Sequence, residues 1–338
     1  MNIKKIAKLA GVSTATVSRV INNKEEVTEK TREKVNQVIA EQGYAPSVTA
    51  RNLSNKTSSY IGVVIPDIQN DFFSVIIREI SNLAEKEGWT ILLFDTNEDS
   101  TNEHRALNTV LEQKLRGLII TPVSEQDGVT TELLRKIKNA GTPVVLIDRE
   151  VKDNGFDGVY IDNFKGAYDG TSALIQEGHQ RIGAITGPIT SKPSRERLEG
   201  YKQAFKDHQL PLNEADIMAG NFKMDDGYNF TKELLTKEHP PKAIFTFNNM
   251  MTVGALKYLK EQGYILGETI SLIGFDDVEM LEWLGMNVSA VNRPTKEMGR
   301  SAFKMLLENY LNKEKTNDIR QVKLPVELIL RGSEKNNA

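Results

Sequence analysis

From Tyr60 onward, short apolar runs alternate with amphipathic helical stretches, and about a hundred residues later the same grammar begins again. The runs Ile61–Ile65, Thr90–Phe94, Gly117–Ile120 and Val144–Ile147 read as strands of a parallel sheet buried on both faces. Between them, Phe73–Lys86, Asn102–Gln113 and Thr131–Asn139 carry helical spacing. After Tyr160, Ile182–Thr186, Ala243–Phe247 and Ile270–Gly274 repeat the pattern. This βαβ alternation predicts two doubly wound α/β lobes. Ligands of such sheets lie beyond the carboxyl ends of the strands, which singles out Asp148 and Arg149 after Val144–Ile147, Asn248 after Ala243–Phe247, and Asp276 after the strand ending near Phe275. Arg197 opens a helical run and joins them. Carboxylate, guanidinium and amide groups together satisfy the hydroxyls of a polyol. Blander roles compete: Asp276-Asp277 as a helix cap, Phe72-Phe73 as core, Arg197 paired with Glu199.

The first 59 residues are different in kind. They hold ten Lys and Arg against five Glu, a net +5, which leaves −8 for the rest of a chain whose total is −3. A small basic head on an acidic body suits a reader of nucleic acid. Ile3, Ile6, Leu9 and Ala10 have helical spacing, and Gly11 stops that helix. Ser13 is placed to cap a second helix with Val17, Val20 and Ile21 inward, and a third runs from about Thr31 to Gln42 with Val35, Val38 and Ile39 inward. Two short helices about a glycine turn make a helix-turn-helix, whose second helix enters the major groove of DNA. Its outer face would present Thr14, Ala15, Ser18, Arg19 and Asn22. Arg19 suits a bidentate contact to guanine, and Ser13, Thr16 and Ser18 suit phosphate oxygens. The competing reading is a three-helix bundle with a merely polar surface.

The run Ile6-Ala7 through Ala10-Gly11-Val12-Ser13-Thr14-Ala15-Thr16-Val17-Ser18-Arg19-Val20-Ile21-Asn22 resembles the N-terminal signature of the LacI/GalR family of bacterial repressors. The likeness continues through Gly43-Tyr44-Ala45-Pro46 and Ala50-Arg51-Asn52-Leu53 and on to about Arg331. Lys5, Ser47 and Asn249 stand where the family more often has an acid, Asn and Asp. The resemblance implies an all-α helix-turn-helix head over 1–46, a hinge over 47–59 and a two-lobed effector-binding and dimerisation body over 60–331, with 332–338 a tail. It implies three crossings between lobes, near Ile161, Asn292 and Val322. Lobe 1 would then hold about 60–160 and 292–321, and lobe 2 about 161–291 and 322–331. In the hinge, Leu53 matches the residue that wedges into the central base step, and Ala50 allows close approach to the minor groove. In the cleft, Phe72 and Phe222 match aromatic positions beside Asp148, Arg149, Arg197, Asn248 and Asp276.

The function implied is a homodimeric transcription repressor of a carbohydrate operon. It would bind palindromic double-stranded operator DNA under control of a sugar or sugar-phosphate effector. A global carbon regulator with a phosphocarrier partner, a solute-binding protein and a sugar-processing enzyme are the other readings. The last finds no GxxxxGK[ST], GxSxG, HExxH or GxGxxG, and His104, His179, His208 and His239 have no metal-ligand spacing. No cofactor is expected. No cysteine is present, so disulfides and thiolate metal sites are excluded. With no apolar run of about 18 residues and no apolar stretch after the first lysines, neither a membrane span nor a secretory signal is expected, and the cytoplasm, at the nucleoid, is the expected location.

Overall fold

The computed structural model describes residues 2–21, 24, 26–43, 58–152, 155–312 and 318–337. The chain divides into two compact units between Ser59 and Tyr60. Asn22, Ala50, Leu53 and residues 47–57 of the expected hinge lie outside the described residues.

The described residues of the smaller unit hold three helices, α1 (Ile3–Ala10), α2 (Thr14–Ile21) and α3 (Glu29–Glu41). Asn2 caps α1 by accepting from the Lys5 amide, and Gly11 ends it at φ +64°, a left-handed conformation that glycine takes without steric penalty. Ser13 Oγ accepts the Thr16 amide at 3.1 Å and starts α2. Ile6, Ala7, Ala10, Val17, Val20 and Val35 form the core, with Ile21, Val38 and Ile39 only partly buried. Leu9, at helical spacing with Ile6, is exposed, and α1 buries Ile6, Ala7 and Ala10 instead.

In the larger unit the chain builds a first sheet from β1 (Tyr60–Ile65), β2 (Thr90–Asp95), β3 (Leu118–Ile120), β4 (Val144–Ile147) and β5 (Asp157–Ile161), linked by α4 (Asp71–Lys86), α5 (Ser100–Gln113) and α6 (Gly128–Asn139). It then crosses and builds a second from β6 (Ile182–Thr186), β7 (Ile217–Ala219), β8 (Ala243–Thr246), β9 (Ser271–Phe275) and β10 (Ser289–Asn292), with α7 (Asn163–Gln176), α8 (Lys192–Asp207), α9 (Met224–Leu235), α10 (Asn249–Glu261) and α11 (Glu279–Trp283). It returns through α12 (Thr295–Leu311) and β11 (Gln321–Leu324), and ends in the second sheet with β12 (Glu327–Ile329). The strand orders are β11-β5-β4-β3-β1-β2 and β12-β10-β9-β8-β6-β7. All pairings are parallel except β12 against β10. Each sheet reverses direction of growth beside its first strand, the point where ligands of doubly wound sheets bind.

Several sequence expectations need correction. Strand β2 is half exposed, because it lies at the sheet edge. Helices α5 and α6 begin two or three residues early, where Asp99 and Asp127 cap them. Val322 pairs with Val159 in the first sheet, so the third crossing falls between Leu324 and Glu327 rather than near Val322. The segment taken as a tail is packed. Leu272 donates to the Ser333 carbonyl at 2.8 Å, Ser333 Oγ returns a bond to the Leu272 carbonyl at 2.6 Å, and Glu334 accepts from the Ser289 hydroxyl. No helix among the described residues is long and apolar enough to cross a membrane.

Two details generate tests. A Cβ at Gly200 on α8 would lie 2.2 Å from the Phe164 carbonyl oxygen of α7, a backbone atom that cannot step aside. Gly200→Ala should therefore push the two helices apart and destabilise the larger unit by about 1–3 kcal/mol, read as a lower urea midpoint. His179 is 4% exposed and lies 2.8 Å from Ser271 Oγ, which donates to the carbonyl of Lys335. Burial holds its imidazole below the ordinary histidine range. The folded state therefore favours the neutral ring; that stability is present above the unfolded value and lost as pH falls through the lowered one. Thermal unfolding at about pH 7.5 and about pH 5.5, either side of the unperturbed value, should differ less in His179→Asn than in the natural chain.

Candidate functional site

On the small unit, Ser13, Thr14, Ala15 and Arg19 are exposed while Thr16 and Ser18 are half-buried, so α2 offers one polar face from its N-terminal turn to its end. Two of these groups already have work. The Ser13 hydroxyl caps α2 and lies 2.9 Å from the Thr16 hydroxyl. Arg19 Nε pairs with Glu26 at 3.1 Å, both side chains well exposed. Exposed pairs contribute only about 0–1 kcal/mol, so a better partner for the guanidinium, such as a base edge, displaces Glu26 easily. Asn22, the last residue expected on this face, is outside the described residues.

In the large unit all seven residues singled out from the sequence, Phe72, Asp148, Arg149, Arg197, Phe222, Asn248 and Asp276, line one cavity where the two sheets face each other. The topology explains the convergence. Asp148 follows β4 and Asp276 follows β9, equivalent positions of the two sheets, and Asn248 follows β8. Asp148 (φ +67°), Asp276 (φ +75°) and Phe222 (φ +63°) all adopt left-handed backbone, a conformation that costs a non-glycine residue on the order of 1 kcal/mol or more and recurs at functional sites.

Their bonding differs from the expectation in detail. Arg197 is 2% exposed and pairs with no acid among the described residues. Its Nε donates to Asn163 Oδ1 at 2.8 Å, its Nη1 donates to the Phe247 carbonyl, and the guanidinium stacks 3.7 Å from the Phe275 ring centroid. Burial, and then the like charge of Arg293, lower its pKa to about 10, so it remains protonated at neutral pH. Asn248 is spent at both ends: Oδ1 accepts the Met251 amide at 2.8 Å as the cap of α10, and Nδ2 donates to the Phe222 carbonyl at 2.9 Å. Asn249 crosses to the other lobe, donating to Asn70 Oδ1 at 2.9 Å. Arg149 makes a fork with Glu98 at 2.7 and 2.8 Å and lies over the Phe222 ring at 5.4 Å. Asp276 is no helix cap; its carboxylate is taken by Arg293.

Arg293 is the principal residue that sequence reasoning missed. It sits on the second crossing, 5% exposed, with its Nη1 donating to Asp148 at 2.7 Å and its Nε and Nη2 to the two oxygens of Asp276. Its guanidinium lies 3.4 Å from the Phe72 ring centroid, so the aromatic face expected to carry a ligand is covered. Glu98 and Lys223 were also missed; Lys223 reaches across the cleft to Asp67 at 2.8 Å. An arginine beside the Asn292 crossing was the one available clue. The remaining cavity is ≈ 30 Å³, room for about two waters. Four acids (Asp67, Glu98, Asp148, Asp276) and four bases (Arg149, Arg197, Lys223, Arg293) line it, so the site carries no net charge. Such a site suits a ligand dense in hydrogen-bonding groups and electrically neutral. Among the described residues no cluster of histidine and acid side chains is arranged to hold a metal ion.

Comparison with known proteins agrees with this layout. The family described as periplasmic binding proteins and sugar binding domain of LacI family matches residues 58–331, and that described as bacterial regulatory proteins, lacI family, matches residues 2–47. Over 335 residues the chain is 32% identical to the HTH-type transcriptional repressor PurR of Vibrio atlanticus (strain LGP32), covering 98% of each. Its fold is similar to that of the lac repressor dimer bound to operator and the anti-inducer ONPF, with a TM-score of 0.84 and 26% identity over 99% of both chains. It is similar also to the transcriptional regulator CelR in complex with cellobiose, with a TM-score of 0.73 and 27% identity over 98% of this chain and 99% of that one.

Proposed function

This chain belongs to the LacI family of bacterial regulatory proteins, and from that premise we propose that its interlobe cavity takes a neutral sugar or sugar derivative whose binding alters the head's grip on operator DNA. The protein is a DNA-binding transcription repressor that acts as a dimer under a small-molecule effector, and it is not an enzyme. We place it in the cytoplasm, at the nucleoid, where its operator is.

The observation that carries the effector reading is convergence. Seven residues from several strand and helix segments in both lobes line one cavity, and the cavity is polar, aromatic-edged and charge-balanced. A sugar phosphate would need surplus positive charge, yet Arg149, Lys223 and Arg293 are each already paired with acids. Only Arg197 pairs with neutral groups alone. A neutral polyol therefore fits better than its phosphate. Relatives bound to a sugar support this class, CelR with cellobiose and a LacI-family regulator of Enterococcus faecium with ribose. Because the ligand would touch both lobes, it favours one lobe arrangement over another. Any resulting coupling to DNA must be reciprocal, typically about 1–3 kcal/mol.

Calorimetry with a panel of sugars and sugar phosphates tests the site. Arg197→Lys keeps the charge but loses the planar fork, and should weaken binding of the responsive sugar at least about tenfold, or 1.4 kcal/mol. Equal binding by the variant would place the effector elsewhere.

The DNA face has its own test. Arg19→Ala should weaken operator binding by about 1–3 kcal/mol and relax preference at one base pair per half-site. Glu26→Gln, which merely releases Arg19, should not weaken it. Fluorescence anisotropy on an inverted-repeat operator and its point variants reads both. An unaltered base preference in Arg19→Ala would remove Arg19 from the reading face.

A further inference from the structure

Resting on the reading of the cleft as the effector site, we propose that Arg293 is the site's built-in occupant, holding the cleft shut by taking the two carboxylates, Asp148 and Asp276, that an effector must win from it. The geometry is that of a bound ligand. A planar group donates to an acid at the end of each sheet, one bond at 2.7 Å to Asp148 and a two-bond fork to Asp276, with its face against Phe72. A sugar lying between the same acids would present the same features: hydroxyl donors toward both carboxylates and a flat face toward the ring. Two adjacent hydroxyls address one carboxylate much as two guanidinium N–H groups do.

Little room is left beside Arg293 among the residues it bridges. Ligand pockets typically measure about 300–1,000 Å³, and ≈ 30 Å³ is free here. Arg293 is also placed to be released, because it lies on the segment crossing between β10 and α12 rather than inside either element. Asn249 also bonds across the cleft to Asn70, both buried but uncharged, and the other ion pairs that span it are more exposed. Lys192 pairs with Glu150 at 2.6 Å, Arg195 with Glu125 at 2.5 Å and Lys223 with Asp67 at 2.8 Å, each through a base roughly a third open to solvent. Solvent screening weakens such pairs. The Arg293 bridge, with all three partners buried, is the dominant latch.

The test uses the absence of cysteine in the full chain. Glu112→Cys on α5 and Lys206→Cys on α8 carry one spin label per lobe, diluted into unlabelled chain so that one subunit of a dimer is labelled. Without any ligand, the chain with Arg293 intact should show one short interlobe distance. Arg293→Ala should lengthen and broaden it. Methylguanidinium at tens of millimolar should restore the short distance, whereas urea, its uncharged analogue, should not. A short distance that survives Arg293→Ala, or rescue by urea equal to that by methylguanidinium, overturns the proposal. Should Arg293→Ala not fold, Asp148→Asn cuts the same bridge while leaving the Asp276 fork, and must lengthen the distance too; no change there counts against the latch. Calorimetry supplies the second arm: a neutral sugar that binds the natural chain should bind Arg293→Ala at least about threefold more tightly, since the closed, occupied state no longer reduces its apparent affinity. Weaker binding would make Arg293 a contact rather than a competitor and end the proposal. The methylguanidinium result needs no sugar, so a failed sugar panel sinks the effector reading without touching it.

Discussion

One guanidinium occupies the place where two parallel sheets end opposite each other. Withdrawing an arginine and two carboxylates from water costs several kcal/mol per ion even after relaxation, and only close, well-aligned partners offset it. Arg293 has them, with three donors on three carboxylate oxygens and an aromatic face behind. The arrangement works only if β4 and β9 deliver their acids to the same point. Both do so through a residue in left-handed backbone, which turns the side chain off the strand axis and into the cleft. The strain at Asp148 and Asp276 and the burial of Arg293 are thus parts of one structure: each would be unfavourable alone. The same reasoning orders the neighbouring charges. Arg149 is taken by a fork with Glu98, and Arg197 is held by the amide of Asn163 and a backbone carbonyl. Without those outlets three guanidinium groups would repel one another around two acids.

How much of this was legible in the sequence depended on whether the interaction was local. Strands buried on both faces announce themselves as unbroken apolar runs, and β1, β3, β4, β6, β8 and β9 were read to within a residue or so. Strand β11 has alternate residues partly exposed and β12 sits at a sheet edge, so neither carries that signature, and the third crossing was placed too early. The convergence of the candidate residues on one cavity was legible because topology puts a strand's end there whatever the side chain's partners. Their partners were not found. Arg293 with Asp148 is a contact across 145 positions, Lys223 with Asp67 across 156. No periodicity encodes a pairing of that range. The packed segment after Gly332 was missed for the same reason: its anchors, Leu272 and Ser289, lie far upstream and say nothing locally.

The head shows the opposite balance. Its decisive features sit within a few residues of one another: Gly11 in a left-handed turn, Ser13 capping the helix that follows, and apolar residues at helical spacing. A core of six small and medium side chains among the described residues is slight, and units of this size bury too little surface to be strongly stable. A recognition face on such a unit cannot rest on buried charge as the cleft does. What it offers is exposed side chains with weak, exchangeable partners, as the Arg19–Glu26 pair illustrates, suited to exchange for phosphate and base edges.

A cleft that closes on its own arginine also bears on discrimination. A ligand entering it must meet two carboxylates whose existing partner is charged and well aligned. A molecule that reaches only one of them leaves the other buried without its counter-charge, and an unpaired buried charge is far more unfavourable than an unmade contact in water. Mere apolar contact with Phe72 or Phe222 cannot compensate. Sites built on polar satisfaction reject analogues lacking a hydroxyl much more strongly than hydrophobic pockets reject a missing methylene. Occupancy by Arg293 lowers apparent affinity for every ligand by the same factor, since all must first displace it. Selectivity then comes from what replaces the lost bonds, so the cleft favours molecules whose donors match the spacing of Asp148 and Asp276. Arg293 thus weakens all ligands alike, and discrimination rests with the two carboxylates it vacates.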